Sequence, residues 1–281
     1  MSGRGKTTLY QIFDWFLWLA AIAGVVLLIL FTVPKARIEW QEILAAIGLV
    51  LCLVLRIPAL VHELGHLLFG TLAGMKPAAV TVSLFRVSAK GIKFIGYSQS
   101  AAGSTEMYPR SAGNMRARMF IYTLGGGVMN LLVGGLFLTL YLMLLYSAGL
   151  FFLGMLSLYM LYEGIRAFVP AELPAGKTDG AVLCGLIKKA PDEEVACRVL
   201  EIQGSINQGT FADIPRERMF DVPVVREDLP AWRALLFLRM QYLLACGDEE
   251  GAGKTLQRLK TLAEYMSEDE LSELARLEGR K

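Results

Sequence analysis

The hydrophobic pattern divides the chain in two: long apolar runs up to about residue 190, and an amphipathic pattern after it. The first apolar run, residues 12–33, is interrupted only by Asp14. Its 22 residues are enough to cross a hydrocarbon core of roughly 30 Å. A cleaved signal peptide would have a shorter apolar region that ends at a small-residue cleavage site. The pattern therefore predicts an uncleaved first membrane span.

Three further apolar runs predict three more crossings. The second, residues 42–75, is interrupted by Arg56 and Pro58, and Pro58 predicts a kink in the helix. The third and fourth runs cover residues 120–146 and 150–168. Four spans in total are expected.

The segment between the second and third spans has strand-like composition. Residues 80–85 and 92–97 are rich in branched and aromatic side chains, and a turn is expected at residues 89–91. This predicts a β-hairpin, either a plain surface feature or an edge strand beside an active site that pairs with an extended peptide. Residues 98–109 are expected to form an irregular loop.

The part after residue 190 is typical of a soluble helical region. Helices are expected at residues 192–203, 230–246 and 251–265, and a last one begins at Ser267, whose capping box is closed by Glu270. The predicted fold class is mainly α: a multi-span membrane protein of about four transmembrane helices, with a small β-hairpin insertion and a soluble helical C-terminal tail. The predicted domains are an N-terminal anchor and loop, a membrane core and the C-terminal domain, at residues 1–41, 42–190 and 191–281.

Composition and charge support this division. Hydrophobic residues make up 54% of the chain and the mean hydropathy is +0.47, which excludes an ordinary soluble protein. The net charge of +2 hides a segregation, because 30 of the 54 charged residues lie in residues 191–281. The four cysteines are too scattered for a disulfide framework or a thiolate zinc cluster, and they favour a reducing compartment for the soluble end.

The placement of basic residues predicts the orientation in the membrane. Residues 76–118 contain seven Lys and Arg, against two in residues 34–41 and none in residues 147–149. By the positive-inside rule, both termini and the hairpin segment lie in the cytoplasm. We expect an integral, multi-pass protein of a bacterial cytoplasmic membrane.

The sequence H-E-L-G-H, from His62 to His66, lies inside the second apolar run. Two histidines four residues apart share one helix face and can bind one metal, and Glu63 can act there as a general base. The alternative is a pair of core histidines, but ionisable groups at membrane depth are costly and tend to be functional. A hydrolytic zinc site needs a third ligand. Since the chain has no other histidine, the third ligand must be a carboxylate or a cysteine. The acidic candidates tied to the membrane part are Asp179, Glu172, Glu163 and Glu106.

These motifs resemble the site-2 protease family of intramembrane zinc metalloproteases, over residues 42–190. The matching elements are the H-E-L-G-H in a membrane helix, the glycine-rich helix that carries Asn130, and a late Asp-Gly at Asp179. The family's Gly-Pro-x-x-Asn element has Gly127 in place of proline. Its Asn-x-x-Pro element has Ala171 in place of asparagine, while Pro174 is kept.

The resemblance implies a role for each matching residue. His62, His66 and Asp179 would bind Zn²⁺, Glu63 would be catalytic, and Asn130 would position the substrate. The implied activity is regulated intramembrane proteolysis: hydrolysis of a membrane protein or peptide whose transmembrane helix must first unwind. From its sequence position alone, Asp179 has an alternative role as the cap of a helix at residues 181–189.

Two other functions stay open from the sequence. The first is a membrane metalloprotease of another H-E-x-x-H class, with a glutamate as third ligand. The second is a membrane scaffold without enzymatic activity that presents the helical tail to a protein partner. A partner at the tail is also compatible with the protease, and no nucleic-acid partner is expected.

Overall fold

The computed structural model describes residues 56–82, 85–89, 91–94, 103–144, 151–173 and 176–278, together with Ile12, Phe16, Leu19 and Ala23. These four isolated residues are helical and exposed. The rest of the predicted first span, the loop at residues 34–41 and the first part of the second apolar run lie outside the described residues. The chain divides into two compact units, one of Met1–Met107 with Phe120–Cys184 and one of Tyr108–Met119 with Gly185–Lys281.

The helices that begin in the apolar part of the chain are α1 Ile57–Leu72, α2 Met115–Met143, α3 Phe151–Phe168 and α4 Asp179–Lys188. In the part of the chain that the structure describes, α2 is the one helix long and apolar enough to cross a membrane. At 29 residues it is about 43 Å long, which exceeds the hydrocarbon thickness. The shorter α1 is also apolar.

The predicted kink at Pro58 is wrong, because α1 begins beside this proline. Arg56 has a left-handed backbone with φ of 53°, and Pro58 lies in the first turn. Proline is well suited to a first turn, where its missing N–H would have no intrahelical partner and its fixed φ fits the helix. His62 and His66 therefore lie at least one turn after the start of α1.

Between α1 and α2 the chain forms a four-stranded sheet rather than a single hairpin. The strands are β1 Met75–Val82, β2 Phe85–Ser88, β3 Gly91–Phe94 and β4 Gly103–Pro109, in the order β3-β2-β1-β4. The pairs β1–β2 and β2–β3 are antiparallel, with Val80 opposite Val87 and Phe85 opposite Phe94. The turn predicted at residues 89–91 is the connection between β2 and β3.

The prediction of an irregular loop at residues 98–109 is wrong for its second half. In β4 the side chains of Thr105, Met107 and Pro109 are buried, while those between them are more exposed. This alternation is the period of a half-buried strand. The strand lies at an edge of the sheet, next to β1.

A two-stranded hairpin, β5 Glu172–Leu173 and β6 Gly176–Lys177, separates α3 from α4. The C-terminal helices are α5 Pro191–Ile206, α6 Arg216–Phe220, α7 Pro230–Ala245, α8 Glu249–Thr261 and α9 Glu268–Glu278. The helices α5, α7, α8 and α9 agree with the predicted positions within a few residues, whereas the short α6 was not predicted. Apolar side chains such as Ile202, Leu235 and Leu259, all completely buried, form their common core.

Local capping fixes the ends of two of these helices. The Asp248 side chain accepts a hydrogen bond from the N–H of Gly251 at 2.8 Å, which begins α8. The predicted box at Ser267 is confirmed, since its N–H donates to Glu270 Oε2 at 2.7 Å and the N–H of Glu270 donates to Ser267 Oγ at 3.3 Å. Each cap satisfies N–H groups that have no partner inside the helix.

The second unit also contains the segment that leads from β4 into α2. Asn207 Nδ2 donates to the carbonyl of Pro109 at 2.9 Å, and Arg116 pairs with Glu194 at 2.9 Å. A Cβ atom at Gly204 would lie 2.7 Å from the backbone of Ser111, so α5 packs directly against this segment. The helical C-terminal unit is thus built around the connection between β4 and α2.

Candidate active site

Three potential metal ligands converge in the first unit. The Nε2 atoms of His62 and His66 are 3.1 Å apart, and they lie 3.2 and 3.4 Å from Asp179 Oδ2. In the described residues these three form the group of histidine, cysteine and acidic side chains close enough to share an ion. Helix α1 supplies the two histidines, and the first turn of α4 supplies the carboxylate. Residues more than 110 positions apart in the sequence therefore meet.

The spacing of the three atoms fits a zinc ion. Zinc binds nitrogen at 2.0–2.1 Å and oxygen at 2.0–2.2 Å with tetrahedral angles, which places neighbouring ligand atoms about 3.3 Å apart. Asp179 Oδ2 is buried and makes no hydrogen bond of regular geometry, although both imidazole nitrogens are close. A cation among these atoms would satisfy that oxygen and both nitrogen lone pairs.

The orientation of His66 is set by α2. Its Nδ1 lies 2.8 Å from the backbone carbonyl oxygen of Tyr122, and only a protonated nitrogen can donate to a carbonyl. We therefore assign the proton to Nδ1, which leaves the lone pair of Nε2 directed at the site. Such a hydrogen bond to the far nitrogen is typical of histidines that bind metals. The Tyr122 ring also lies beside that of His66, with centroids 4.9 Å apart.

Asp179 does not cap α4, because Thr178 occupies that position. The Thr178 hydroxyl accepts a hydrogen bond from the N–H of Ala181 at 3.3 Å and donates to the carbonyl of Val169 at 2.7 Å. The same oxygen accepts from the N–H of Ala171 at 3.0 Å, which closes the loop around the small hairpin. The Asp179 side chain is left to face the histidines.

Burial alone would raise the pKa of the Asp179 carboxyl, but its contacts with His62 and His66 outweigh this effect and lower the pKa to about 2. The carboxyl is therefore an anion at neutral pH, as a metal ligand must be. The other candidate carboxylates lie elsewhere. Glu106 pairs with Arg86 at 2.9 Å, Glu163 pairs with Arg166 at 3.4 Å, and Glu172 is exposed on β5.

Glu63 is buried at 5% exposure, and strand β4 holds it in place. Thr105 Oγ1 lies 2.6 Å from Glu63 Oε2 and 3.1 Å from the backbone oxygen of Glu63. The Tyr122 hydroxyl in turn donates to the carbonyl of Thr105 at 2.5 Å. One strand therefore contacts the glutamate, and one tyrosine contacts both the strand and His66.

Three glycines leave the space that this arrangement needs. A Cβ atom on Gly126 would lie 2.5 Å from the Nε2 atoms of both histidines, and one on Gly103 would lie 2.7 Å from the Glu63 side chain. A Cβ atom on Gly65 would lie 2.3 Å from the carbonyl oxygen of Gly125. The last distance shows that the backbones of α1 and α2 lie in direct contact, which only residues without a side chain at these positions permit.

The positions that depart from the family pattern have a local explanation in two cases. Gly127, where the family has proline, faces the Phe168 ring, which would lie 2.6 Å from a Cβ atom there. Ala171, where the family has asparagine, is only 3% exposed. Asn130 is 1% exposed, and its Oδ1 has no hydrogen-bond partner among the residues that the structure describes. The substrate-positioning role expected for Asn130 stays a prediction.

Sequence reasoning missed Thr105, Tyr122 and Gly103 as parts of the site. The only available signal was the alternation Thr105, Met107, Pro109, which marks a strand but does not indicate what the strand contacts. Gly180, next to Asp179, is a further position at which the packing requires glycine. A Cβ atom there would lie 2.1 Å from the carbonyl oxygen of Phe168, so this glycine allows α4 to approach the end of α3.

Comparison with known proteins adds one finding. The family model described as Peptidase family M50 matches residues 50–274, which is most of the chain. Neither the curated proteins nor the solved structures gave a match.

Proposed function

Because the chain belongs to Peptidase family M50, the site-2 protease family, we propose that it is a zinc-dependent intramembrane peptidase. Its substrates would be transmembrane or membrane-associated proteins. The observation that carries the proposal is the triangle of His62, His66 and Asp179 next to a buried Glu63. Family membership supports a metallopeptidase, and the ligand triangle supports zinc as its ion.

The residues have separable roles in peptide hydrolysis. His62, His66 and Asp179 would hold a zinc ion, which would supply a Lewis acid for water activation and carbonyl polarisation. Glu63 accepts the proton of the attacking water and returns it to the nitrogen of the leaving amine. Tyr122 keeps His66 in the required tautomer through its carbonyl oxygen.

We propose that the substrate binds as an extended strand along β4. A transmembrane helix satisfies its own carbonyl groups, so the segment to be cut must unwind and find other partners. Strand β4 is an edge strand, and it carries the residue that contacts Glu63. A peptide added at that edge would gain backbone hydrogen bonds next to the catalytic glutamate. This assigns to β4 the docking role expected from the sequence for residues 80–97.

We further propose four membrane crossings with both termini in the cytoplasm. The support is the length of the apolar runs and the bias of basic residues toward residues 76–118. A reporter enzyme that works only in the cytoplasm should be active when it is fused after Lys281. Activity of a periplasmic reporter at the same position would contradict the orientation.

The direct test of the proposed function is the substitution Glu63→Gln. The variant keeps the size of the side chain but cannot accept a proton, so cleavage of a membrane substrate should fall by about 100-fold or more. Zinc measured by elemental analysis should remain near one ion per chain. A zinc-free wild-type protein, or undiminished cleavage by the variant, would refute the proposal. Comparing the membrane proteomes of cells that carry wild type and variant would identify the substrates.

A further inference from the structure

We infer that Thr105 is a positioning residue for Glu63: its hydroxyl fixes the carboxylate in the orientation needed for proton transfer. The inference rests on the proposed peptidase function and names a residue that the H-E-x-x-H motif does not contain.

The first step is the hydrogen bond itself. Thr105 is 8% exposed, and its Oγ1 has two acceptors in reach, the carboxylate oxygen Oε2 at 2.6 Å and the backbone oxygen of the same residue at 3.1 Å. A hydroxyl has one proton to donate. The contact with Oε2, at 2.6 Å, is the shorter of the two and lies in the usual range for an O–H···O hydrogen bond, so the carboxylate accepts the hydrogen bond.

The second step is what the bond leaves free. With Oε2 held by Thr105, rotation of the carboxylate is restricted, and Oε1 is available to the attacking water. The neighbouring Gly103 has no side chain that could displace the carboxylate, since a Cβ atom would lie 2.7 Å from Oε1. A general base is efficient only when its oxygen lies within hydrogen-bond distance of the proton it removes.

The third step is the anchoring of Thr105. Its backbone carbonyl accepts a 2.5 Å hydrogen bond from the Tyr122 hydroxyl, and the carbonyl of Tyr122 accepts from His66 Nδ1 at 2.8 Å. Tyr122 on α2 therefore helps to orient both the general base Glu63, through Thr105, and the metal ligand His66. A base, a residue that orients it and a fixed frame are the parts that a preorganised site requires.

A purely structural role would have different consequences. In that case Thr105 would matter because it fills the sheet and satisfies a buried carboxylate, and any change that disturbs the sheet would have the same effect. The neighbouring strand β1 offers a control, because Thr81 is buried to the same degree, at 7% exposure. Replacing either threonine by valine keeps the branched shape and removes one hydroxyl.

The experiment compares Thr105→Val, Thr105→Ser and Thr81→Val in the full-length protein. The measurements are bound zinc, kcat and KM on a quenched fluorescent single-span peptide that the wild type cleaves. Thr105→Val should lower kcat about 10- to 100-fold, with KM within about twofold and zinc unchanged, in the range found for residues that orient catalytic groups. Thr105→Ser, which keeps the hydroxyl, and Thr81→Val should stay within about threefold of wild type.

Several results would overturn the inference. They are wild-type kcat in Thr105→Val, an effect confined to KM, loss of zinc, or an equal loss of kcat in Thr81→Val. If Thr105→Val does not accumulate, the smaller Thr105→Ala takes its place with the same expected result. A wild type that cleaves no membrane peptide would refute the proposed function itself, whereas an active wild type with a fully active Thr105→Val contradicts only the role of Thr105.

Discussion

Buried charged groups are handled in opposite ways in the two units of the chain. In the C-terminal unit, Arg233 is only 6% exposed, and its guanidinium meets the Glu270 carboxylate through Nε at 3.0 Å and Nη2 at 3.3 Å. In the first unit, His62, His66 and Asp179 place three electron-pair donors within 3.4 Å of one another. The charges of the first cluster are balanced within the protein, whereas the second presents three donor atoms that a single cation could bind.

The difference separates structural polar groups from functional ones. A buried guanidinium with a bidentate acidic partner has its charge and its donors satisfied within the protein, and losing that partner would be costly. Three electron-pair donors that face each other destabilise the fold unless a bound cation offsets their repulsion and desolvation. Burial alone would not distinguish the two clusters, because each combines a buried side chain with partly buried ones. Their hydrogen-bond partners do.

The largest effect is expected when the anionic ligand is removed from the group formed by His62, His66 and Asp179. Asp179→Asn should lower both zinc affinity and cleavage by more than about 100-fold, since even residues that merely support metal ligands are worth 10- to 100-fold. Glu172→Gln is the matched control, because Glu172 lies seven residues earlier and is exposed. It should bind zinc as the wild type does. Loss of zinc in the Glu172 variant alone would show that the wrong carboxylate was chosen.

A second change acts on the space beside the histidines. Gly126→Ala introduces a methyl group 2.5 Å from both Nε2 atoms, so one imidazole must turn away. Overpacking of this kind costs about 1–3 kcal/mol, so zinc binding should weaken about 10- to 100-fold. Gly135→Ala, on the same helix α2 with no atom near the new methyl group, should bind zinc normally. Equal zinc affinity in the two variants would contradict the close approach of α2 to the ligands.

The third change removes the charge of the carboxylate that pairs with Arg233 in the C-terminal unit. Glu270→Gln leaves Arg233 without its anion, and we expect the unit to lose about 2 kcal/mol of local stability. Faster hydrogen exchange of the α7 amides in the full-length protein would report the loss, with zinc content and kcat unchanged. Glu250→Gln breaks an exposed pair with Lys254 and should have little effect. Similar exchange rates in both variants would show that the buried pair of Arg233 and Glu270 contributes no more to local stability than the exposed pair does.

The smallest effect expected is the pH dependence of the same pair. Burial raises the pKa of the Glu270 carboxyl, but Arg233 and the capping contacts with Ser267 outweigh this and lower it below its ordinary value of 4.5. A lowered pKa in the folded state means that the stabilisation is complete above pH 4.5 and is lost as the pH falls through the folded-state pKa. Lowering the pH should therefore reduce the protection of the α7 amides, taken relative to their intrinsic exchange rates at each pH, more in the wild type than in Glu270→Gln. An equal acid response would contradict the prediction.

The sequence by itself determined the parts of this protein that depend on local periodicity. Four-residue spacing placed His62 and His66 on one helix face, and amphipathic patterns and the box from Ser267 to Glu270 located the C-terminal helices, because helix formation and capping involve neighbours along the chain. Recognition of the family came from the same short motifs and is confirmed by the match over residues 50–274. The four-span count and the domain boundaries stay predictions.

Only the tertiary structure decided which distant groups meet. From the sequence, four carboxylates could complete the ligand set. The structure brings Asp179 to the histidines because Thr178 takes over the helix cap. Likewise, strand β4 looked like a loop, and nothing in its sequence could show that Thr105 contacts Glu63, 42 positions earlier. Contacts of this kind depend on how helices and strands pack, and packing is set by the whole chain rather than by the pattern of any one segment.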